Sequence, residues 1–276
     1  MSSSSTDYRS VRIERASEHV AEIVLQGPGH GNAMGPDFWR EFPHVVAELE
    51  ADRDIRCLLL TGDGDHFCYG LDLQGMAAEI GPMLEGGAAG RSAIIQQAAE
   101  MVRGFDALAS GRLPVVAAID GWCIGAGIEL LCACDVRLAT NDARFALKEV
   151  QVGMVADLGG LGRLPFLVGE GWARELALTG EPIDAGTARE IGLVNHVFGE
   201  ADTLRAEALA RAERIAANPP LVVAGIRQVL DGRIAAAVKS ANREAATLNG
   251  MLMQSEDFAE AMKAFMEKRA PEFKGR

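Results

Sequence analysis

"LPVVAAIDGWCIGAGIELLCACDVRLAT", residues 113–140, is the stretch that decides the fold. Its first part, Pro114–Asp120, is a compact apolar run, the pattern of a strand buried on both faces of a parallel sheet. The glycine turn "GWCIGAG" follows, then a helix near Gly127–Ala133 and another strand at Val136–Thr140. Asp120, Glu129 and Asp135 interrupt the apolar run, so it does not read as a membrane span.

The same strand–turn–helix order lies upstream, in "IRCLLLT" at 55–61, the turn "GDGDHFCYG" at 62–70 and a short helix near Leu71–Met76. Further out, Val11–Arg15 and His19–Leu25 read as a β-hairpin. "GPGHGNAMGPDF" at 27–38 is a glycine-rich loop leading into a helix from Pro36 to Asp52. "IGPMLEGGAAG" at 80–90 reads as a mobile glycine-rich segment, followed by a helix of about twenty residues to Ser110. Downstream, Arg144–Leu147 is expected to form a strand pair with Val136–Thr140. Strands alternating with helices specify an α/β architecture, with parallel sheets and helices outside. From Ala201 onward the chain is alanine-rich helix, with Pro219 and Pro220 ending one helix and starting the next. The expected organisation is a disordered start at 1–10, a core at 11–200 and a helical region at 201–276.

Charge and motif content exclude several classes of function. The net charge is −12 and no lysine/arginine block occurs, so neither nucleic acid nor a membrane surface is an expected partner. Five cysteines, an odd number with Cys132 and Cys134 as C-x-C, read as buried thiols in a reducing compartment. The polar start "MSSSSTDYRS" has no apolar signal core. Together these give the expectation of a cytoplasmic protein. No phosphate loop, dinucleotide fingerprint, G-x-S-x-G elbow or paired histidine motif is present, so no cofactor and no metal are expected.

What remains is carboxylates and glycine turns. In α/β proteins, sites form where strands end and helices begin. "HFCYGLDL" at 66–73 and "GWCIGAGIEL" at 121–130 each put a glycine before a helix start, where backbone N–H groups lack intrahelical partners. Facing one another, two such ends would form an oxyanion hole, and singly they are ordinary tight turns. Glu129, Glu149 and Asp157 stand among apolar residues and glycines. Each has a plain alternative. Glu129 would suit the first turn of a helix, Asp157 would suit an N-cap, and Glu149 could pair with Lys148 or an arginine.

"GWCIGAGIELLCACDVRLATNDARFALKEVQVGMVADLGGLGRLP" resembles the signature region of the enoyl-CoA hydratase/isomerase (crotonase) superfamily. The likeness extends to "GNAM" at 31–34, "GDGDHFCYGLDL" at 62–73, "AREIGLVNHVF" at 188–198 and the helical tail. It implies a spiral of ββα units with a C-terminal helical trimerisation region, as a trimer or a dimer of trimers. It implies an acyl-CoA thioester substrate, of the kind met in fatty-acid β-oxidation, with CoA as part of the substrate. By motif position the oxyanion donors would be the N–H groups of Leu71 and Ala126, with Gly70 and Gly125 against the substrate. Relatives more often have glycine where Ala126 stands, a difference a backbone donor tolerates.

The resemblance also sorts the acids. Glu129 and Glu149, twenty residues apart, occupy the positions of the two hydratase glutamates that hold a water. Asp157 resembles the third acid of the Δ3,5-Δ2,4-dienoyl-CoA isomerases, although those usually carry aspartate where this chain has Glu129. The favoured reading is isomerisation of a 3,5-dienoyl-CoA, with Glu149 and Asp157 moving protons at C2 and C6 and Glu129 tuning them. Which acid serves which carbon is left open by the residues. The alternatives are enoyl-CoA hydration through Glu129 and Glu149, and a non-catalytic acyl-CoA binder. Met83, Met101 and Phe105 are candidates for an acyl pocket.

Overall fold

Strand β3 (Cys57–Gly62) is apolar at almost every position because helices cover both of its faces. Leu58 and Leu60 meet Phe38, Phe42 and Val45 of α1 (Pro36–Ala51) and Phe105 of a long helix further on. Cys57 and Leu59 point the other way, onto Leu204, Ala208 and Ala212. The computed structural model that reveals this describes residues 8–29 and 31–276.

Two sheets organise the chain. The larger has the order β1-β2-β3-β4-β6-β9. It contains β1 (Val11–Ser17), β2 (Val20–Leu25), β3, β4 (Val115–Ile119), β6 (Val136–Thr140) and β9 (His196–Phe198). Only β1 and β2 pair antiparallel, as the expected hairpin. The smaller sheet has the order β5-β7-β8, from Trp122–Ile124, Arg144–Ala146 and Ile183–Asp184. Strands β6 and β7 therefore do not pair with each other, contrary to the sequence reading. Arg144 N–H is held by Gly121 O at 2.9 Å, which carries β7 out of the large sheet and beside β5. The units that begin at β4 and β6 thus run from a strand of the large sheet to one of the small sheet and then to a helix or helical turn, within the ββα spiral expected from the resemblance.

The segment at 80–90 is helical and not a loop. Helix α2 (Leu73–Glu85) and α3 (Gly87–Ser110) meet at Gly86. Ile80, Met83 and Leu84 pack there against Ile94, Met253 and Phe258, and Gly87 takes φ +56° at the break. Helix α4 (Ala126–Leu131), a 3-10 turn (Glu149–Val152), α5 (Gly160–Thr179) and α6 (Ala185–Glu190) complete the part before residue 200.

The helices after residue 200 share the packing of the core. Helix α7 (Ala201–Ala216) covers one face of the large sheet, and its Arg205 pairs with the fully buried Glu22 of β2 at 2.6 Å. Helix α8 (Pro220–Gly232) is anchored by buried Arg227, which meets Asp135 at 2.9 Å. Helix α9 (Ala235–Leu252) packs on α3 and α5, and α10 (Glu256–Glu267) packs against the 3-10 turn. At the other end, Arg9 and Ser10 are tied to Glu41, while residues 1–7 of the expected disordered start lie outside the described residues.

Candidate active site

The two glycine turns lie side by side. Cys68 N–H donates to Trp122 O at 3.0 Å and Ile124 N–H to Cys68 O at 2.8 Å. Met34 N–H donates to Gly70 O at 2.7 Å, and Gly125 N–H to Ala146 O at 2.8 Å. Gly70 takes φ +80°, and a Cβ there would sit 2.6 Å from Ile124 O, so only glycine lets the turns touch. The next N–H groups along, those of Leu71 and Ala126, have no hydrogen-bond partner among the described residues.

Around this pair the structure gathers all three acids singled out in the sequence. Glu149 opens the 3-10 turn, and its carboxyl lies against the second glycine turn: a Cβ at Gly125 would sit 2.8 Å from Glu149 Oε1. Among the described residues, Glu149 Oε2 is buried without a hydrogen-bond partner, and no lysine or arginine pairs with the group. Burial pushes its pKa up to about 7, opposed by its own backbone N–H and reinforced by the charge of Asp157.

Asp157 is not an N-cap. Helix α5 begins at Gly160 with Gly159 as its cap, and the Asp157 carboxyl accepts the Asn249 Nδ2–H at 2.7 Å instead. Its pKa rises to about 6, again through burial, with the Asn249 hydrogen bond pulling the other way. Glu129, on the first turn of α4, is only 1% exposed. Its Oε2 accepts the backbone N–H groups of Leu158 and Gly160 at 2.9 and 2.8 Å. Burial and then the charges of Glu149 and Asp157 raise its pKa well above the carboxylate range, and the two N–H groups oppose the rise.

Asp157 and Leu71 both line a cavity of about 60 Å³ whose other walls include Ile80, Met83, Ile94, Met101, Met154 and Met253. Met83 and Met101, candidates for an acyl pocket in the sequence reading, both line this cavity. Phe105 does not line this cavity, because it is fully buried in the core among Phe38, Trp39 and Phe42. The cavity is smaller than an acyl chain, and its methionines are the side chains most able to repack. Asn249 was not legible as a site residue. Its one signal, Asn249-Gly250 inside a helical pattern, reads as a turn. Gly250 is there because a Cβ would sit 2.8 Å from Ile95 on α3.

A family model described as enoyl-CoA hydratase/isomerase matches residues 15–276. The chain belongs to the enoyl-CoA hydratase/isomerase family. It is an enzyme, an acyl-CoA isomerase or hydratase. A mitochondrial Δ3,5-Δ2,4-dienoyl-CoA isomerase of Dictyostelium discoideum is 38% identical over 98% of this chain and 92% of its own length. A peroxisomal enzyme of the same name from Arabidopsis thaliana is 37% identical over 96% and 97%. An enoyl-CoA hydratase/isomerase structure from Pseudoalteromonas atlantica superposes with a TM-score of 0.83 at 29% identity, covering 96% of this chain and all of that one. The cytoplasmic expectation is overturned by these relatives, which are named for a mitochondrion and a peroxisome. Buried thiols and a polar start reflect packing and solubility, which organelle and cytosol share.

Among the described residues no helix is long and apolar enough to cross a membrane, and no cluster of His, Cys, Asp and Glu could hold a metal ion.

Proposed function

We propose that this chain isomerises 3,5-dienoyl-CoA thioesters to the 2,4-dienoyl form. The observation that carries the reading is that two acids of raised proton affinity occupy different surroundings. Glu149 lies against the Gly125 turn, whereas Asp157 lies on the wall of the apolar cavity reached past Leu71.

The thioester oxygen sits in an oxyanion hole made by the N–H groups of Leu71 and Ala126, with Gly70 and Gly125 allowing its close approach. Glu149 is then beside C2 and takes its proton as general base. The C–H electron pair moves into a dienolate whose charge falls on the held oxygen. Asp157, further along the acyl chain, gives its proton to C6, and the carbonyl reforms with double bonds at C2 and C4. One proton leaves the substrate and one arrives, so the acids finish with their proton exchanged and reset through solvent. No cofactor beyond the CoA of the substrate is required.

The acids must share one proton for this to work, and like charges in a half-buried site favour that state. Burial raises the proton affinity of both acids, so the pair retains a proton that an exposed pair of carboxylates would release. Glu129 holds the backbone that carries Asp157. Hydration would instead need Glu129 to orient a water, and its Oε2 already takes two N–H groups.

The working unit is a homo-oligomer, a trimer or a dimer of trimers. Helix α8 supports this by exposing Leu221, Val222, Ile226, Val229 and Leu230 along one half of its surface. Size-exclusion chromatography with light scattering checks it, and a monomer at micromolar concentration refutes it.

The deciding experiment is a paired ultraviolet assay on wild type and Asp157→Asn. Growth of the conjugated-diene band from a 3,5-dienoyl-CoA, lost in the variant, together with negligible hydration of crotonyl-CoA, supports isomerisation. Hydration that survives Asp157→Asn overturns it, and turnover of neither substrate indicates a binder.

A further inference from the structure

Asn249, on α9, is 2% exposed and uses both of its donors and one acceptor site on one loop. Its Oδ1 accepts Val155 N–H at 2.8 Å, and its Nδ2 donates to Val155 O at 2.8 Å and to Asp157 Oδ2 at 2.7 Å. The Val155 pair fixes the amide's orientation, because a flipped amide would set donor against donor and acceptor against acceptor. The hydrogen aimed at Asp157 is therefore not free to turn away.

We propose that Asn249 is a positioning residue for proton transfer, holding Asp157 Oδ2 so that the transferable proton is carried on Oδ1. This rests on the isomerase reading of the site. The carbonyl oxygen of a protonated carboxyl is a better acceptor than its hydroxyl oxygen, so the Asn249 N–H on Oδ2 favours the proton on Oδ1, and that one oxygen exchanges protons with the substrate. The same hydrogen bond favours the ionised form of Asp157 over the protonated one. The titratable groups that face Asp157 are Glu149, from the 3-10 turn, and Glu129, from α4, whose proton affinities the charge of Asp157 raises. Both are acids, and Asp157 forms no ion pair among the described residues. Across the cavity α2 and α3 contribute Ile80, Met83, Ile94, Gln97, Ala98 and Met101, all neutral. Asn249 is thus the one side chain whose hydrogen bond opposes the effect of burial on Asp157.

The test is the pH profile of kcat/KM for a 3,5-dienoyl-CoA in wild type, Asn249→Leu, Asn249→Asp, Asp157→Asn and the double variant Asp157→Asn/Asn249→Leu. Loss of the donor raises the proton affinity of Asp157, so the bell moves to higher pH, its acid limb by up to about one unit. The rate at the optimum falls about ten- to a hundredfold through lost alignment. Asn249→Asp keeps the shape and an acceptor for Val155 N–H, and moves the bell in the same direction. In the Asp157→Asn background, Asn249→Leu adds little, because the two residues act as one unit. A rate that falls equally at every pH, or losses that multiply in the double variant, overturns the role of Asn249 and leaves the isomerase reading intact. Undiminished dienoyl turnover in Asp157→Asn overturns both.

Discussion

Replacing Glu129 by Gln and by Ala separates holding the site together from taking part in chemistry. Glu129 Oε2 accepts two N–H groups, those of Leu158 and Gly160, and both donors belong to buried residues. Ala removes the acceptor and strands both donors, at about 1–3 kcal/mol each, for a total near 2–6 kcal/mol. With an unfolding entropy of about 2.1 cal/mol/K per residue, a chain of 276 residues has about 0.6 kcal/mol/K at its midpoint, so the loss reads as about 3–10 °C in Tm. Gln behaves differently. Burial and two neighbouring acids raise the proton affinity of Glu129, and a primary amide matches its protonated carboxyl in shape and charge. Its carbonyl oxygen still accepts both N–H groups. Calorimetry should therefore find Glu129→Gln within about 1 kcal/mol of wild type. The dienoyl assay should find its rate within about tenfold, because Glu129 moves no proton in the reaction. If Glu129→Gln keeps its Tm but loses about a hundredfold or more in rate, Glu129 is a catalytic acid or base and the assignment of its role is wrong.

Three further outcomes follow from the same contacts. The folded pKa of Asp157, about 6, is raised from 3.8, so between those values the folded protein holds a proton that the unfolded chain has released, and stability falls as pH rises. Asp157→Asn removes that loss and should be more stable than wild type at pH 8 by about 1–3 kcal/mol, and no more stable at pH 4, in denaturant titrations. Equal effects at both pH values would refute the burial argument. Gly125→Ala forces a side chain onto φ +53° and into contact with Glu149 Oε1, at about 1–2 kcal/mol of backbone strain. Its dienoyl turnover should drop about a hundredfold, and near-normal kinetics would show that Glu149 does not work from that position. Met101→Ala widens the cavity of about 60 Å³ and should raise the relative rate on longer or branched acyl chains in a competition assay. An unchanged preference would place the acyl chain elsewhere.

Much of the architecture is local and was therefore legible. The runs at 55–61 and 114–120 are apolar at successive positions because helices press on both faces of a parallel strand, and composition alone reports that. Gly70 and Gly125 report turns whose φ no other residue takes easily, and the acids Glu129, Glu149 and Asp157 are conspicuous against apolar neighbours. Pairing between distant segments was less legible. Arg144–Ala146 has the pattern of a strand, but nothing in three residues says that its neighbour is Trp122–Ile124 and not Val136–Thr140. The glycines at 81, 86, 87 and 90 read as a mobile loop, whereas contacts of Ile80, Met83 and Leu84 with Met253 and Phe258, some 170 residues away, hold the segment as helix.

By itself the sequence determined the alternation of strands and helices, the two glycine turns and the three acids, because backbone sterics, hydrophobic periodicity and the oddity of a carboxylate among apolar residues all act over a few positions. Only the tertiary structure decided what surrounds each acid. Leu158 and Gly160 bring two N–H groups to Glu129. Glu149 lies against the Gly125 turn because Gly125 has no side chain to exclude it, and Asp157 lines the cavity with Asn249 of α9 bonded to it. Proton affinity depends on burial and on neighbours within a few ångströms, and folding chooses those neighbours from across the whole chain.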